Sequence, residues 1–254
     1  MANRDFRQAA LDAMRALPNY KALSYLELGC GDAFILEALR KEGVSNARGT
    51  TYRARGEDYI RTRDYPEGVE VDYGIDLNQP LPYPDGSFDV VYSTEVIEHV
   101  EGHRNFITQA ARVLRPGGSF ILTTPNLHRL LSRINFALSG VHLTKQKLVP
   151  WDAPLGQMEE FHHRCVDFPL LHWLMWKGGL RVADVQPTEV YRSSRIAATL
   201  LRPLVGRPTK KHVWRHATAG NDEDRRARED LIKWMLSPAL LSSEQMCVIA
   251  KKTN

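Results

Sequence analysis

A glycine-rich turn between a strand pattern and a helix pattern is the feature that most constrains the fold of this chain. The run Tyr25-Leu26-Glu27-Leu28 is apolar except for one acid, and Gly29-Cys30-Gly31-Asp32-Ala33 follows it directly. Residues 34–40 then carry apolar side chains at helical spacing. Glycine tolerates positive φ, and a helix that begins after such a turn directs free N–H groups toward a ligand. The pattern predicts the opening strand–turn–helix unit of a nucleotide-binding α/β fold.

Three further patterns follow this turn in a fixed order. Residues 74–92 contain the turn Pro84-Asp85-Gly86-Ser87 and then a short apolar strand. The string Glu95-Val96-Ile97-Glu98-His99-Val100 comes next and leads into a helix, and residues 112–126 predict a helix end, a Pro-Gly-Gly turn and another strand. The third glycine of Gly-x-Gly-x-x-Gly is missing from the first turn, which disfavours a dinucleotide site.

Together these motifs resemble the core of the class I S-adenosylmethionine (SAM) methyltransferases. The resemblance is close over residues 25–126 and loose over 180–190 and 245–252. It implies an α/β fold with a doubly wound, mostly parallel seven-stranded sheet, the Rossmann-like methyltransferase fold, carrying helical lid insertions. It also implies a SAM-dependent methyltransferase as the activity and SAM as the cofactor.

The 254 residues, of which 43% are hydrophobic, are enough for one large α/β domain. We predict a single methyltransferase domain over 1–254, made of an N-terminal helix in 1–24, a SAM-binding core at 25–126, a substrate-lid insertion at 127–168, and C-terminal strands at 169–254 with a basic insertion at 192–235. The chain has no apolar run of about twenty residues, no apolar leader, and three cysteines in no paired pattern. These features predict a cytoplasmic protein.

The resemblance carries the family's cofactor contacts to individual positions. Glu27 would hold the ammonium of SAM, the backbone of the glycine turn its carboxylate, and Asp76 its adenine amino group, with Leu77 packed on the adenine ring. An alternative role for Asp76 is to cap its own turn. Cys30 is interpreted as a packing residue rather than a nucleophile. The complete predicted set of cofactor-binding residues is Glu27, Gly29, Cys30, Gly31, Thr51, Asp76, Leu77 and Ser93.

One position departs from the family. Its second strand usually ends in Gly-x-acid, and that carboxylate holds the ribose hydroxyls, whereas this chain has Gly49-Thr50-Thr51. A hydroxyl makes a weaker hydrogen bond than a carboxylate. Thr51 or the nearby Glu57 replaces the acid, the frame shifts here, or affinity for SAM is lost. The last alternative keeps open a SAM-binding protein without catalysis.

The string Glu95-Val96-Ile97-Glu98-His99 supplies the predicted catalytic residues. On a helix, Glu95, Glu98 and His99 would share one face. We predict His99 as general base or orienting residue, with His163, Glu95 and Glu98 completing the catalytic set. The same string occurs in small-RNA 3′-terminal 2′-O-methyltransferases and in catechol-type O-methyltransferases of quinone biosynthesis. A divalent ion such as Mg²⁺, held by Glu95, Glu98, His99 and His163 or His162, is therefore the alternative to a metal-free site.

Oxygen is the favoured acceptor atom, because Tyr92-Ser93-Thr94-Glu95 offers no Asn/Asp-Pro-Pro-Tyr-type lining for an amine. The inserts resemble those of methyltransferases that act on sugars, glycans or glycolipids. Their Arg, Lys and Trp content suits an anionic acceptor or a membrane surface, the latter through residues 192–216. The net charge of +4 is mild, so nucleic acid is not the expected partner. A metal-dependent RNA 3′-end 2′-O-methyltransferase remains the alternative enzyme.

Overall fold

The computed structural model describes residues 5–52, 65–143, 151–152, 164–215, 217 and 221–253. Its strands form one seven-stranded sheet in the order β3-β2-β1-β4-β5-β7-β6. β7 is antiparallel to both neighbours, and the other strand pairs are parallel. The strands are Tyr25–Glu27 (β1), Ala47–Thr50 (β2), Glu70–Asp72 (β3), Phe88–Thr94 (β4), Leu114–Pro125 (β5), Leu180–Pro187 (β6) and Gln245–Lys252 (β7).

Helices cover both faces of this sheet, which confirms the predicted doubly wound α/β fold. The cluster on one face includes side chains of α1 and α2, and the cluster on the other includes side chains of α3, α5 and α8. The helices are Phe6–Arg15 (α1), Phe34–Lys41 (α2), His103–Val113 (α3), Leu130–Ser139 (α4), Phe168–Lys177 (α5), Arg192–Trp214 (α6), Asp222–Met235 (α7) and Pro238–Ser242 (α8).

Alternation along the strands explains why both faces are apolar. In β1, Tyr25 packs with α1 and α2 while its neighbour Leu26 packs on the opposite face. In β5, Ile121 lies on the first face and Phe120 on the second. Successive strand side chains point to opposite sides, so strands covered on both sides must be apolar throughout. This is the pattern that the sequence shows in 25–28 and 88–92.

Local capping chemistry sets where several helices begin. Asp5, Asp167, Asn221 and Ser237 each accept a hydrogen bond from a backbone N–H in the first turn of α1, α5, α7 and α8. Helix α7 also has three acidic residues in its first turn, where their negative charges interact favourably with the positive end of the helix dipole.

The segments outside the core form a layer of their own. Leu130 of α4, Ala198 of α6 and Leu241 of α8 make a small separate apolar cluster. The division of the chain into a lid insertion and a basic insertion stays a prediction. None of the helices among the described residues is both long and apolar enough to cross a membrane.

Candidate functional site

The site lies where the sheet order reverses. β1 pairs with β2 on one side and with β4 on the other, so the carboxyl ends of β1 and β4 border the point at which ligands bind in open α/β sheets. The glycine turn follows β1 at this point and leads into α2, whose N-cap residue Ala33 has a left-handed conformation at φ 56°. The predicted strand–turn–helix unit is therefore formed.

The two turn glycines have different surroundings. Gly29 has φ 75°, and a Cβ at that position would lie 2.8 Å from Cγ2 of Val96, in the segment after β4. Gly31 has φ 52°, and a Cβ there would meet no atom within 4 Å. Gly29 is thus required by close packing, whereas Gly31 borders open space that a ligand can occupy.

Several amides of the turn are already used inside the protein. The Gly29 N–H donates to Oγ1 of Thr50 at 3.0 Å, and the Cys30 N–H donates to the Thr50 carbonyl at 2.9 Å. The Ala33 N–H donates to the Cys30 carbonyl at 2.7 Å. Among the described residues, none accepts a hydrogen bond from the Gly31 amide. Within the predicted set of turn amides, Gly31 is therefore the best placed donor for a carboxylate.

Glu27 ends β1 directly beneath this turn and is buried. Its Oε2 accepts a hydrogen bond from the Tyr92 hydroxyl of β4 at 3.0 Å. Burial raises the pKa of Glu27 to about 8, against the lowering effect of the Tyr92 hydrogen bond. A carboxyl group held in this way would be stabilised in its charged form by a cation that binds next to it.

The raised pKa of Glu27 predicts a measurable pH dependence of stability. The unfolded carboxyl loses its proton near the ordinary glutamate pKa of 4.5, whereas burial raises the pKa of the folded one to about 8. Below pH 4.5 the carboxyl is protonated in both states and carries no penalty. As the pH rises through this window, the unfolded state gains free energy from ionisation that the folded state does not, so the free energy of unfolding decreases. The wild type should therefore lose stability relative to Glu27→Gln between about pH 5 and about pH 8 in urea unfolding. An exposed control, Glu67→Gln, should keep the wild-type profile, and equal profiles for all three proteins would contradict the assignment.

The end of β2 carries Thr51 in place of the family's acid. The Thr51 N–H donates to the Asp72 carbonyl at 2.9 Å, and its own carbonyl accepts from Ile75 at 2.9 Å. Tyr65 lies near both Thr51 and Cys30: burial raises the pKa of its hydroxyl, Cys30 adds to that effect and Thr51 opposes it. Sequence reasoning missed Tyr65, because its partners come from different loops. The other candidate, Glu57, lies outside the described residues.

Cys30 is buried at the start of the turn. Burial raises the pKa of its thiol to about 12, so the thiol stays protonated at neutral pH. A Cβ on Gly49 of β2 would lie 2.7 Å from Cβ of Cys30, which shows how closely the two strands' ends pack. This environment suits the packing role that we predicted for Cys30.

Asp76 and Ser93 already have partners within the protein. Oδ1 of Asp76 accepts from the backbone N–H of Asn78 at 2.8 Å and from Nδ2 of the same residue at 3.1 Å. This Asx-type turn is the alternative role named for Asp76 from the sequence. The Ser93 hydroxyl donates to the Leu28 carbonyl at 3.0 Å, and Leu77 packs against the main core. Their roles as cofactor ligands stay predictions.

The α-helix expected over the Glu95–His99 string is wrong. Glu95 has φ 53°, and Ile97–His99 form a 3-10 turn closed by the His99 N–H to the Val96 carbonyl at 2.9 Å. The Glu95 N–H instead continues the strand ladder to the Thr123 carbonyl at 3.0 Å. The chain therefore leaves β4 through a left-handed residue, so Glu95, Glu98 and His99 do not share one helical face.

Glu98 points into the protein, and His99 is half-buried. The Thr124 hydroxyl of β5 donates to Oε2 of Glu98 at 2.9 Å. Burial raises the pKa of Glu98 to about 7, partly opposed by hydrogen bonds from the backbone and from Thr124. The residue next to His99 is therefore a buried carboxyl group whose pKa lies near neutral pH.

The last residues of the predicted lid insertion lie beside Glu98. The Arg164 N–H donates to the Glu98 carbonyl at 3.3 Å, and the charges of Glu98 and Glu95 help burial to raise the pKa of the Cys165 thiol to about 12. His163 and His162, named as site residues from the sequence, lie outside the described residues. In the described part of the chain, no three His, Cys, Asp or Glu side chains are grouped closely enough to hold a metal ion, so the Mg²⁺ alternative has no support there.

A buried ion pair fixes the start of the lid. Nη1 of Arg129, the N-cap residue of α4, lies 3.1 Å from Oε1 of Glu244, just before β7, and both side chains are mostly buried. Asn126 donates to the carbonyls of Leu240 and Ser243 at 2.7 and 2.9 Å. Sequence reasoning did not find these contacts, because they join residues more than 110 positions apart.

Comparisons with known proteins agree with this geometry. A family model described as a methyltransferase domain matches residues 26–122. A probable S-adenosylmethionine-dependent methyltransferase of Mycolicibacterium smegmatis is 38% identical over 159 residues, 63% of this chain and 52% of that protein. A ubiquinone biosynthesis O-methyltransferase of a Chelativorans species is 30% identical over 126 residues, 50% of this chain and 49% of the relative. The chain spans about half the length of these curated relatives.

Solved structures share the whole fold at low identity. A SAM-dependent methyltransferase from Archaeoglobus fulgidus superposes with a TM-score of 0.53 at 20% identity, covering 97% of this chain and 94% of that one. A methyltransferase from Mesorhizobium loti gives a TM-score of 0.51 at 16% identity, covering 97% and 98%. At these identities the likeness establishes the fold.

Proposed function

Since this chain belongs to the class I S-adenosylmethionine-dependent methyltransferase superfamily, we propose that it transfers a methyl group to a hydroxyl oxygen of a small molecule, sugar or glycan. The observation that carries this proposal is the turn after β1, where Gly31 borders open space and Glu27, four residues earlier, supplies a buried carboxyl.

The residues present fit the cofactor. The open Gly31 position is a cradle that a Cβ would fill, and its amide would hold the carboxylate of SAM. Glu27 would hold the ammonium, since a cation offsets the cost of charging a buried carboxyl. Thr51, with the Tyr65 hydroxyl beside it, would hold the ribose in place of the family's acid. Asp76 and Leu77 would lie against the adenine.

The cofactor supplies, when bound, a methyl group activated by a sulfonium. The chain's own task is then to align the acceptor hydroxyl and take its proton. His99 is the proposed base, because imidazole titrates near neutral pH and the side chain is half-buried at the end of β4. Glu98 is a positioning residue, held in the interior by Thr124, that keeps the adjacent turn in place.

Charge around the lid supports an acceptor with an anionic group. His128 and Arg133 flank the start of α4, where burial lowers the pKa of His128 to about 4, with nearby Arg133 adding to the effect. Nη1 of Arg133 is buried, and no atom among the described residues accepts a hydrogen bond from it. A buried guanidinium nitrogen without a hydrogen-bond partner is costly, so a phosphate or carboxylate that reached it would stabilise it.

The names of two relatives agree with oxygen as the acceptor atom. The Chelativorans protein and a Parvibaculum protein, the latter 32% identical over 133 residues, are both ubiquinone biosynthesis O-methyltransferases. Each match covers about half of this chain. We therefore infer the chemical class of the acceptor from the charged residues near α4 and not from these relatives.

The test is a transfer assay with methyl-labelled SAM and paired acceptors. Hydroxylated sugars, sugar phosphates and phenols are each compared with the amine analogue of the same skeleton. We expect label in an oxygen-linked product, with phosphorylated or carboxylated acceptors preferred over neutral ones. Transfer to the amines alone would contradict oxygen as the acceptor. Bound cofactor without transfer to any member of the panel would favour a binding protein without catalysis.

A further inference from the structure

Helix α6 presents a row of apolar side chains to solvent. Ile196, Leu200 and Leu204 are 50%, 67% and 69% exposed. Residues four apart lie along one face of a helix, so these side chains form a stripe. The opposite face of α6 is covered, with Ser194 and Ala198 buried. The stripe is therefore the free surface of a helix that is already packed on the domain.

Helix α4, a neighbour of α6, also exposes apolar side chains. It packs beside α6 through the small apolar cluster that contains Leu130 and Ala198. Its own exposed side chains include Leu138, which is 84% exposed, with Ile134 and Phe136. Monomeric proteins rarely expose apolar side chains in such numbers in one region, and larger exposed patches mark interaction sites. We call the exposed faces of α4 and α6 the α4–α6 surface.

The α4–α6 surface is strongly basic. No Asp or Glu occurs from residue 127 to 151 or from 190 to 221. Helix α6 alone carries six basic residues, all exposed: Arg192, Arg195, Arg202, Arg207, Lys210 and Lys211. Exposed apolar side chains among cations are the composition of helices that lie in the interface of anionic membranes.

We propose that the α4–α6 surface docks on an anionic lipid bilayer, with Leu200 and Leu204 inserted at the level of the headgroups. A second copy of the chain fits this surface less well, because a two-fold contact would bring the same basic patch against itself. Nucleic acid would pair with the cations but would leave the leucines without an apolar partner. A bilayer supplies both an anionic surface and an apolar layer.

Docking in this orientation places the lid side of the domain at the membrane. Helix α4 begins just after the carboxyl end of β5, on the same sheet edge as the glycine turn and the Glu98 position. The proposal does not depend on catalysis. It predicts binding to vesicles whether or not an acceptor is present.

The experiment is flotation of the full chain with two kinds of vesicle. One contains phosphatidylcholine alone, and the other contains phosphatidylcholine with about one-third phosphatidylglycerol. The variant Leu200→Gln/Leu204→Gln removes apolar side chains from the stripe. The matched control is Leu170→Gln/Trp173→Gln on α5, whose side chains are 44% and 53% exposed. Circular dichroism and thermal unfolding check that both variants fold.

We expect the wild type and the α5 control to float with the anionic vesicles, in a manner weakened by salt. The α6 variant should lose about tenfold or more in affinity, the order expected for two leucines that leave an apolar layer. Absence of flotation, equal binding to neutral vesicles, or equal loss in the α5 control would overturn the proposal. So would a self-association that only the α6 variant abolishes, without any vesicle binding, which would assign the surface to a second copy.

Discussion

Replacing His99 with alanine is expected to lower the rate of methyl transfer about a hundredfold to ten-thousandfold, the range that a positioned general base contributes. His99 lies half-buried in the 3-10 turn after β4, next to the buried Glu98. Alanine removes the imidazole but leaves the backbone hydrogen bond to the Val96 carbonyl intact. The fall should therefore appear in kcat, while the affinity for S-adenosylhomocysteine (SAH) stays within about twofold.

The substitution Glu98→Gln distinguishes the proposed base, His99, from the proposed positioning residue, Glu98. Glutamine retains an oxygen that accepts the Thr124 hydrogen bond, but it does not titrate. We expect a smaller loss than in His99→Ala, together with a changed pH–rate profile near neutrality, because the pKa of Glu98 is raised to about 7 by burial. Full activity in His99→Ala would show that another group takes the proton.

Gly29→Ala is expected to cost about 2–5 kcal/mol of folding free energy. Alanine at φ 75° carries a strain of about 1–2 kcal/mol, and overpacking adds about 1–3 kcal/mol. The new Cβ would lie 2.8 Å from Val96, which the turn after β4 holds in place. Urea unfolding measures the loss, and a shifted Val96 should also weaken SAH binding.

Gly31→Ala is the matched control for that substitution. It carries the same type of backbone strain, about 1–2 kcal/mol, but its Cβ meets no protein atom within 4 Å. We expect it to fold with only the loss of about 1–2 kcal/mol that the strain carries, yet to bind SAH weakly, because the methyl group occupies the space proposed for the cofactor. If Gly31→Ala bound SAH as well as the wild type does, the cradle would lie elsewhere.

The order of strands and helices was predictable because each pattern is local. The turn at 29–33 and the capped helix at 222–235 follow from neighbouring residues. Residues 116–118, predicted as a Pro-Gly-Gly turn before the strand, instead lie within β5, where its pairing with β4 shifts register. Packing on both faces follows from apolar strand runs. These local signals, in the order in which they occur, were enough to identify the fold.

The details of the site were less accessible, because they depend on contacts between distant segments. The Tyr92 hydroxyl meets Glu27 across 65 positions, and Thr50 closes the glycine turn from β2. The prediction of a helix over residues 95–99 was wrong. The Glu95 N–H hydrogen-bonds the Thr123 carbonyl of β5, and Glu95 itself has a left-handed conformation. Spacing alone does not show that a strand's last hydrogen bond prevents a helix from starting.

The central claim is that the turn between β1 and α2 binds SAM. Calorimetric titration of the wild-type chain with SAH tests it most directly. We predict saturable binding of one ligand per chain, with Kd on the order of micromolar. Binding should be accompanied by proton release near neutral pH, because the ligand's ammonium would lower the raised pKa of Glu27. Absence of binding heat at two temperatures would contradict the account.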